Sequence, residues 1–426
     1  MKPLERRLTR IDALAIALGA VIGVGVFRST STVLRGAGSF EGATLIWLGV
    51  GFVCLCGAVL YADLSARVPE AGGPYAYVRV AFGRPAGFIY GWMNAGISIP
   101  VRQASVFAVI GEVLARVVPW PARVLSVAVL LLLVALNLFG VRAGALTQRV
   151  LTASKLGTVV LVVVLALFLV PHAEGITEGT LLPTASLAAA VGAAWYTYLG
   201  WQDVVLLAEE LHEPRRDLPV VLVGTVSLVL VLYTSIHIAV FFGLGGGAEA
   251  YADLPALEVA TRALGATGTA LLTSLMLVSM VGGAAEGMMV RPRVALALGR
   301  DGLGPEVLTR VSARGAPYGA LLMHASLVLL LVSSGSFDEL MPLLVFAQGF
   351  LGIFETGAYL VVLRKRPELP RSRFHPWAPV TFVLANVALC VLAAAQDPGR
   401  AGLALLVLTL IGGIYAVVMR RRREGP

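Results

Sequence analysis

The stretch Gly19-Ala20-Val21-Ile22-Gly23-Val24-Gly25-Val26-Phe27 sits in the middle of the first membrane-length apolar segment. Gly23 and Gly25 bracket one residue there. An interior glycine costs a helix about 1 kcal/mol relative to alanine. In hydrocarbon a freed backbone N–H or C=O costs more, because no water replaces the lost partner. Such a break survives where protein, or a polar cavity and its ligand, satisfies it. The stretch therefore points to a binding site at mid-membrane depth. Gly19 and Gly23 are also four residues apart, the spacing of a small-xxx-small packing face. On this stretch alone, packing and binding both stand open.

Composition gives the setting. The chain has 426 residues, 58% hydrophobic and 14% charged, with a mean hydropathy of +0.85. Apolar runs long enough to span a bilayer as helix recur from end to end. Twelve are expected, at 11–33, 42–66, 86–117, 123–140, 146–170, 185–211, 217–243, 266–299, 318–334, 338–363, 377–396 and 400–420. The fold class is all-α integral membrane. The net charge of +8 follows topology rather than a nucleic-acid partner. With the N-terminus inside, Lys2, Arg6, Arg7 and Arg10 share a side with Arg420, Arg421, Arg422 and Arg423. Basic residues crowd the inner loops, and the outer loops carry only Arg35, Arg116, Arg123, Arg262 and Arg400. Both termini are expected in the cytoplasm, in a multi-pass protein of the plasma (inner) membrane. The first apolar segment is too long for a cleavable leader. Cys54 and Cys56 face different ways on a helix, and Cys390 is remote in sequence, so neither a metal site nor a disulfide framework is expected.

A second break lies in the sixth span, Ala193-Ala194-Trp195-Tyr196-Thr197-Tyr198-Leu199-Gly200-Trp201-Gln202-Asp203. Polar and aromatic residues crowd its centre, and Gly200 supplies conformational freedom. Pro214 stops the segment. Spans one and six are five apart and run in opposite directions. That is the arrangement of an inverted repeat with one discontinuous helix per half. The chain then divides into a first repeat over 1–175 (helices 1–5), a second over 176–366 (helices 6–10), and accessory helices 11–12 over 367–426. A short amphipathic stretch at 254–264 is expected to lie on the outer surface.

At this point the chain resembles the amino acid–polyamine–organocation superfamily. The first span looks like its G-x-I-G-x-G-x-F signature. Ala208-Glu209-Glu210-Leu211-His212-Glu213-Pro214-Arg215-Arg216-Asp217-Leu218-Pro219 resembles its E-E-x-x-x-P-x-R-x-x-P segment. Glu70-Ala71-Gly72-Gly73-Pro74-Tyr75 looks like its A-G-G-x-Y loop, and Pro292-Arg293 through Arg300-Asp301-Gly302 is similar to its ending of helix eight. Leu363-Arg364-Lys365-Arg366-Pro367 resembles the loop after helix ten. The resemblance is nearest to the L-type branch and its prokaryotic relatives. It implies a leucine-transporter-type fold, a 5+5 inverted repeat with helices 1 and 6 broken. It also implies secondary active transport of amino acids by alternating access, through proton symport or amino acid exchange.

By that resemblance the substrate site takes in Val21, Ile22, Gly23, Val24, Gly25 and Val26 of helix one, and Tyr196, Thr197, Tyr198, Leu199 and Gly200 of helix six. The N–H groups of Val24, Gly25 and Val26 are candidates for a carboxylate, favoured by the helix dipole. The carbonyls of Tyr196, Thr197 and Leu199 are candidates for an ammonium. Tyr196 is the outer gate by resemblance; simple packing of Tyr196 and Trp201 is the alternative. Val24 stands where the family often has a hydroxyl residue, so the carboxylate would rest on backbone donors. Leu199 stands where a second glycine is often found, which argues against large aromatic substrates. Lys155, two turns inside span five, is the candidate coupling residue, with snorkelling to the interface as the alternative. Glu286 in span eight is a possible specificity or proton site, or pairs with a buried base such as Arg102 in span three. His237 and His324 read as packing histidines.

Other classes fit less well. A channel predicts a continuous polar stripe, and the sequence has two isolated breaks. An intramembrane enzyme needs a nucleophile–base pair or metal ligands, and no such pattern or catalytic residue is found. A transport-inactive amino acid sensor, or a polyamine or amine exchanger of the same fold, remains as the alternative. No cofactor or metal is expected. The loop Val117–Arg123 has no cysteine, so no disulfide-linked accessory chain is expected. The partners are the amino acid and the bilayer, and the chain is a monomer or weak homo-oligomer.

Overall fold

Thr9 starts the first helix. Its hydroxyl accepts from the Asp12 N–H, and the Asp12 carboxylate accepts from the Thr9 N–H at 2.9 Å, a reciprocal cap. Helix α1 (Arg10–Val21) ends where Ile22 turns extended, with ψ 100°. Helix α2 (Gly25–Ala37) then continues at a 45° bend. The computed structural model describes residues 8–23, 25–70, 72–138, 145–169, 184–246, 248–312, 316–334 and 337–396, with Arg6 and isolated positions between 398 and 415. Lys2 and Arg7, the C-terminal basic cluster, most of the twelfth span and the 175/176 repeat boundary lie outside the described residues.

Ser39 caps α3 (Phe40–Arg67) by accepting from the Gly42 N–H at 3.0 Å. Two short helices follow, α4 (Pro74–Phe82) and α5 (Arg84–Met93), each opened by proline in its first turn, where no N–H is needed. Helix α6 (Ile99–Leu114) continues α5 through a π turn, Asn94–Ser98. Pro100 explains that turn, because its ring cannot donate and crowds the carbonyl one turn back. Then come α7 (Ala122–Leu138), α8 (Ala145–Val164), α9 (Thr184–Tyr198), a 3₁₀ segment (Trp201–Glu210) and α10 (Pro214–Gly243). Last come α11 (Pro255–Val290), α12 (Arg293–Arg300), α13 (Tyr318–Ser334), α14 (Phe337–Lys365) and α15 (Trp377–Gln396). Among the described residues the only β contact is a parallel bridge between Leu8 and Leu211.

Seven of these segments are long and apolar enough to cross a bilayer, and the bent α1–α2 pair adds an eighth; α7 and α13 are shorter apolar helices. Large apolar side chains such as Leu45, Phe52, Val231 and Leu384 point outward and are more than half exposed. A water-facing surface would be penalised for this, and a lipid-facing one is not. The chain is an all-helical, multi-pass integral membrane protein.

The amphipathic stretch at 254–264 and the span after it are one run of helix broken at Gly265, whose φ of +61° only glycine adopts readily. Span eight is shorter than the sequence suggested. It stops at Val290, and α12 is a separate amphipathic turn beyond Pro292.

The broken elements meet one another. The 3₁₀ segment packs on α1, and α9 packs on α2. Around them α8 and α10 pack on α1, while α3 and α14 pack on α9. Likewise α3 lies on α10, α11 on α8 and α6 on α14.

Candidate functional site

The last turn of α1 has carbonyls with no successor helix to accept from. Three of them find a specific partner. Leu18 accepts from the Ile22 N–H at 2.8 Å. Gly19 accepts from the Lys155 ammonium of α8 at 2.5 Å. Val21 accepts from the Tyr233 hydroxyl of α10 at 3.0 Å. One turn earlier, Ala15 accepts from Thr152 at 2.7 Å. Lys155 is only 2% exposed, so it does not snorkel. Its charge lies at the negative end of the half-helix dipole, where a cation is favoured.

The break in the sixth span is held against this same turn. Gly200 has φ +127°, and a Cβ there would lie 2.5 Å from the Ala20 carbonyl oxygen. No side chain fits, so the glycine is required both by conformation and by contact. Leu199 N–H donates to the Tyr196 carbonyl at 3.1 Å, and Gly200 N–H to Gln202 Oε1 at 3.2 Å. Tyr196, Thr197, Tyr198 and Leu199 are all buried. The Tyr198 hydroxyl donates to the Trp47 carbonyl at 3.1 Å, which anchors the end of α9 to α3.

The glycines of the first break differ in role. A Cβ on Gly19 would lie 2.7 Å from Thr152 Oγ1, so Gly19 belongs to a packing face. A Cβ on Gly25 would lie 3.3 Å from Thr197 Oγ1, so α2 and α9 approach closely there. A Cβ on Gly23 would meet nothing nearer than 4.0 Å. The small-xxx-small reading thus applies to Gly19 and not to Gly23. Val21, Ile22 and Val26 are buried beside the break; Val24 lies outside the described residues.

Arg102 is not the partner of Glu286, a correction to the sequence reading. Its Nη2 donates to both carboxylate oxygens of Asp203, at 2.6 and 2.5 Å. Arg291 Nε donates to the same carboxylate at 3.0 Å and its Nη1 bonds Gln103. Gln103 in turn donates to the Ala284 carbonyl at 3.1 Å. A carboxylate between two guanidinium groups explains why this geometry prevails, since Asp203 offsets two buried charges at once. Glu286 is 1% exposed, and among the described residues neither of its oxygens has a hydrogen-bond partner. It lies one turn beyond Gly283, whose missing Cβ leaves room for Lys155 Nζ at 3.2 Å.

Sequence reasoning did not single out Asp203, Arg291 or Gln103. The available signal was that Asp203 and Arg291, like Arg102, are charged residues inside apolar segments, which must pair. His237 is a packing residue, stacked on Phe40 with Nε2 3.2 Å from Thr44 Oγ1. Next to Arg102 and Asp203 lies a small cavity of about 30 Å³ between α3, α4, α5, α6, the 3₁₀ segment and α14. Among the described residues no cluster of three or more His, Cys, Asp or Glu could hold a metal ion.

The end that carries the N-terminus is laced with ion pairs. Arg10 meets Asp217 at 2.8 Å, Arg149 meets Asp12 at 2.8 Å, Arg293 meets Glu210 at 2.7 Å and Arg300 meets Glu209 at 3.4 Å. Tyr75 donates to Asp301 at 2.6 Å. Burial, and then the Asp301 carboxylate, push the Tyr75 phenol well above its ordinary range. Leu8 N–H also donates to the Glu210 carbonyl at 2.9 Å, which ties the segment before α1 to the end of the 3₁₀ segment.

The family model described as "Amino acid permease" matches residues 8–415. The chain is 28% identical over 424 residues to the "Large neutral amino acids transporter small subunit 2" of Homo sapiens, covering 95% of this chain and 79% of that one. It is 26% identical to the "b(0,+)-type amino acid transporter 1" of Mus musculus, covering 97% and 87%. It is also 26% identical to the "Cystine/glutamate transporter" of Homo sapiens, covering 96% and 84%.

Proposed function

Because the chain belongs to the amino acid permease family, a family of transporters and not of enzymes, we propose that it is a secondary active transporter of amino acids that works by alternating access. The observation that carries this reading is the interlock of the two breaks. Gly200 abuts the Ala20 carbonyl, and Lys155 holds the Gly19 carbonyl one residue away. The substrate carboxylate is received by the N–H groups opening α2, at Val24, Gly25 and Val26, and the ammonium by the carbonyls of Thr197 and Leu199. Tyr196 gates the outer side. The relatives' names speak of large neutral amino acids, cystine and glutamate, and Leu199, standing where a glycine is often found, narrows the pocket and favours small to medium neutral substrates.

The full architecture in this reading is twelve spans. Helices 1–5 (1–175) and 6–10 (176–366) form inverted repeats, with helices 11–12 (367–426) accessory and both termini cytoplasmic. The helix neighbourhoods support it. The packing of α8 on α1 in one half has its counterpart in α14 on α9, and α10 on α1 in α3 on α9. Lys155 links transport to protons or to the conformational cycle, by symport or exchange. No disulfide-linked accessory chain takes part. The test is uptake of labelled alanine, leucine and glutamine into proteoliposomes, with and without internal amino acid and with an imposed pH gradient. Accumulation driven by the gradient means symport, and dependence on internal substrate means exchange. No flux of any amino acid that binds would make the protein a sensor.

A further inference from the structure

Two hydrogen-bonded rungs join α14 to the α5–α6 span. Tyr90 donates to Glu355 Oε1 at 2.6 Å, and Ser98 donates to Gln348 Oε1 at 3.1 Å. Residue numbers rise along one partner and fall along the other, so the two helices run antiparallel. Glu355 and Gln348 are seven residues apart, on one helix face about 10 Å from end to end. The cavity lies between the rungs. The π turn Asn94–Ser98 contributes Asn94 and Ser98 to its lining. Gln202 of the 3₁₀ segment lines the third side, and its Oε1 is already taken by the Gly200 N–H.

The chemistry of the lining is lopsided. Glu355 is 7% exposed, and among the described residues no cation pairs with it within 4.0 Å. The cation in the lining, Arg102, gives its Nη2 to Asp203, and its Nη1 has no hydrogen-bond partner among the described residues. A buried carboxylate without a counter-charge is held at a large cost unless a cation or proton joins it. Around it stand hydroxyls and carboxamides, which suit a small ligand with several N–H donors at one end. We propose that this cavity is a second ligand site, for the ammonium group of an amino acid or small amine, with Glu355 as its counter-charge and the Gln348 and Gln202 carboxamide nitrogens facing the ligand's other end. The inference rests on the transport reading only for the identity of an amino acid ligand. The site is separate from the paired breaks. Gln202 belongs to the segment that begins at Gly200, so occupancy here bears on the same element that carries the second break.

The test is equilibrium binding of labelled L-alanine and labelled ethylamine to the protein in lipid nanodiscs. It compares wild type with Glu355→Gln, Gln348→Leu and Gly25→Val, each checked for folding by size exclusion and thermal unfolding. The expected result is one ethylamine site, weakened at least tenfold in Glu355→Gln and kept in Gly25→Val, and not displaced by propionate. Alanine is expected at two sites in the wild type and at one in either of those variants. Should Glu355→Gln not fold, Gln348→Leu carries the test, with a loss of alanine affinity at the cavity of about tenfold. Failure of alanine to displace ethylamine identifies the ligand as a simple amine. Absence of ethylamine binding to the wild type, or unchanged binding in the variants, overturns the proposal. A single alanine site abolished by Gly25→Val and kept in Glu355→Gln also overturns it and leaves the transport reading standing. A single site abolished by Glu355→Gln and kept in Gly25→Val overturns the paired-break site instead.

Discussion

The ammonium of Lys155 donates to the main-chain carbonyl of Gly19 at 2.5 Å, joining α8 to the open end of α1. Both residues are buried. The contact therefore ties a charged side chain directly to the helix break, and any movement of α1 away from α8 must release it.

Removing that side chain leaves a buried carbonyl without its donor, a loss of about 1–3 kcal/mol. Lys155→Ala is expected to lower amino acid uptake into proteoliposomes at least tenfold. Any residual flux should lack the pH dependence of the wild type. An active variant with an unchanged pH profile would refute a coupling role for Lys155 and leave it a helix clamp.

Gly200 and Gly23 separate conformational need from open space. Alanine at Gly200 must accept φ +127° and a Cβ 2.5 Å from the Ala20 oxygen. The strain alone is about 1–3 kcal/mol, and the clash adds to it. Gly200→Ala is expected to unfold at a lower temperature and to lose substrate-induced stabilisation. Gly23→Ala, with nothing nearer than 4.0 Å, should change stability by less than about 1 kcal/mol. Thermal unfolding with and without alanine checks both, and equal effects would contradict the contact geometry.

Two buried acids should differ sharply in their response to loss of charge. Asp203 holds Arg102 and Arg291 together, so Asp203→Asn strands two guanidinium groups and is expected to cost about 3–5 kcal/mol. Among the described residues Glu286 has no hydrogen-bond partner, so Glu286→Gln gives up only its longer-range attraction to nearby cations. It should cost no more than about 1 kcal/mol. Unfolding in detergent measures the pair, and a similar loss in both would mean that Glu286 has a partner in the working protein.

The breaks were legible because glycine clusters and polar residues are anomalous inside apolar segments, and lipid makes such anomalies expensive. The separate amphipathic helical stretch before Gly265 was legible for the same kind of reason, a change of periodicity. Pairing was not. Arg102, Asp203 and Arg291 come from three distant segments, and which acid meets which base depends on helix rotation that sequence spacing does not define. The Asn94–Ser98 π turn left only Pro100 as a trace. The difference between Gly23 and Gly25 depends on where Thr197 lies across the break, and no local pattern encodes that.

Glu210 joins three elements at the end that carries the N-terminus. Its carboxylate meets Arg293 of α12 at 2.7 Å, and its carbonyl accepts from Leu8 N–H at 2.9 Å. The two side chains are 12% and 21% exposed, so the ion pair is only partly screened. Such a pair is worth about 1 kcal/mol, enough to change the ratio of two conformations about fivefold. In a background without the three native cysteines, a Gly23→Cys reporter fits the open space at that position. Its labelling by a membrane-impermeant thiol reagent added from the N-terminal side reads how often that end opens. Glu210→Gln is expected to label about fivefold faster than its parent. Arg293→Met should do the same, and the double variant no faster than either, because the two remove one interaction. Additive acceleration would mean that each residue holds the end closed through a different contact, and unchanged rates would mean that the pair is not a latch.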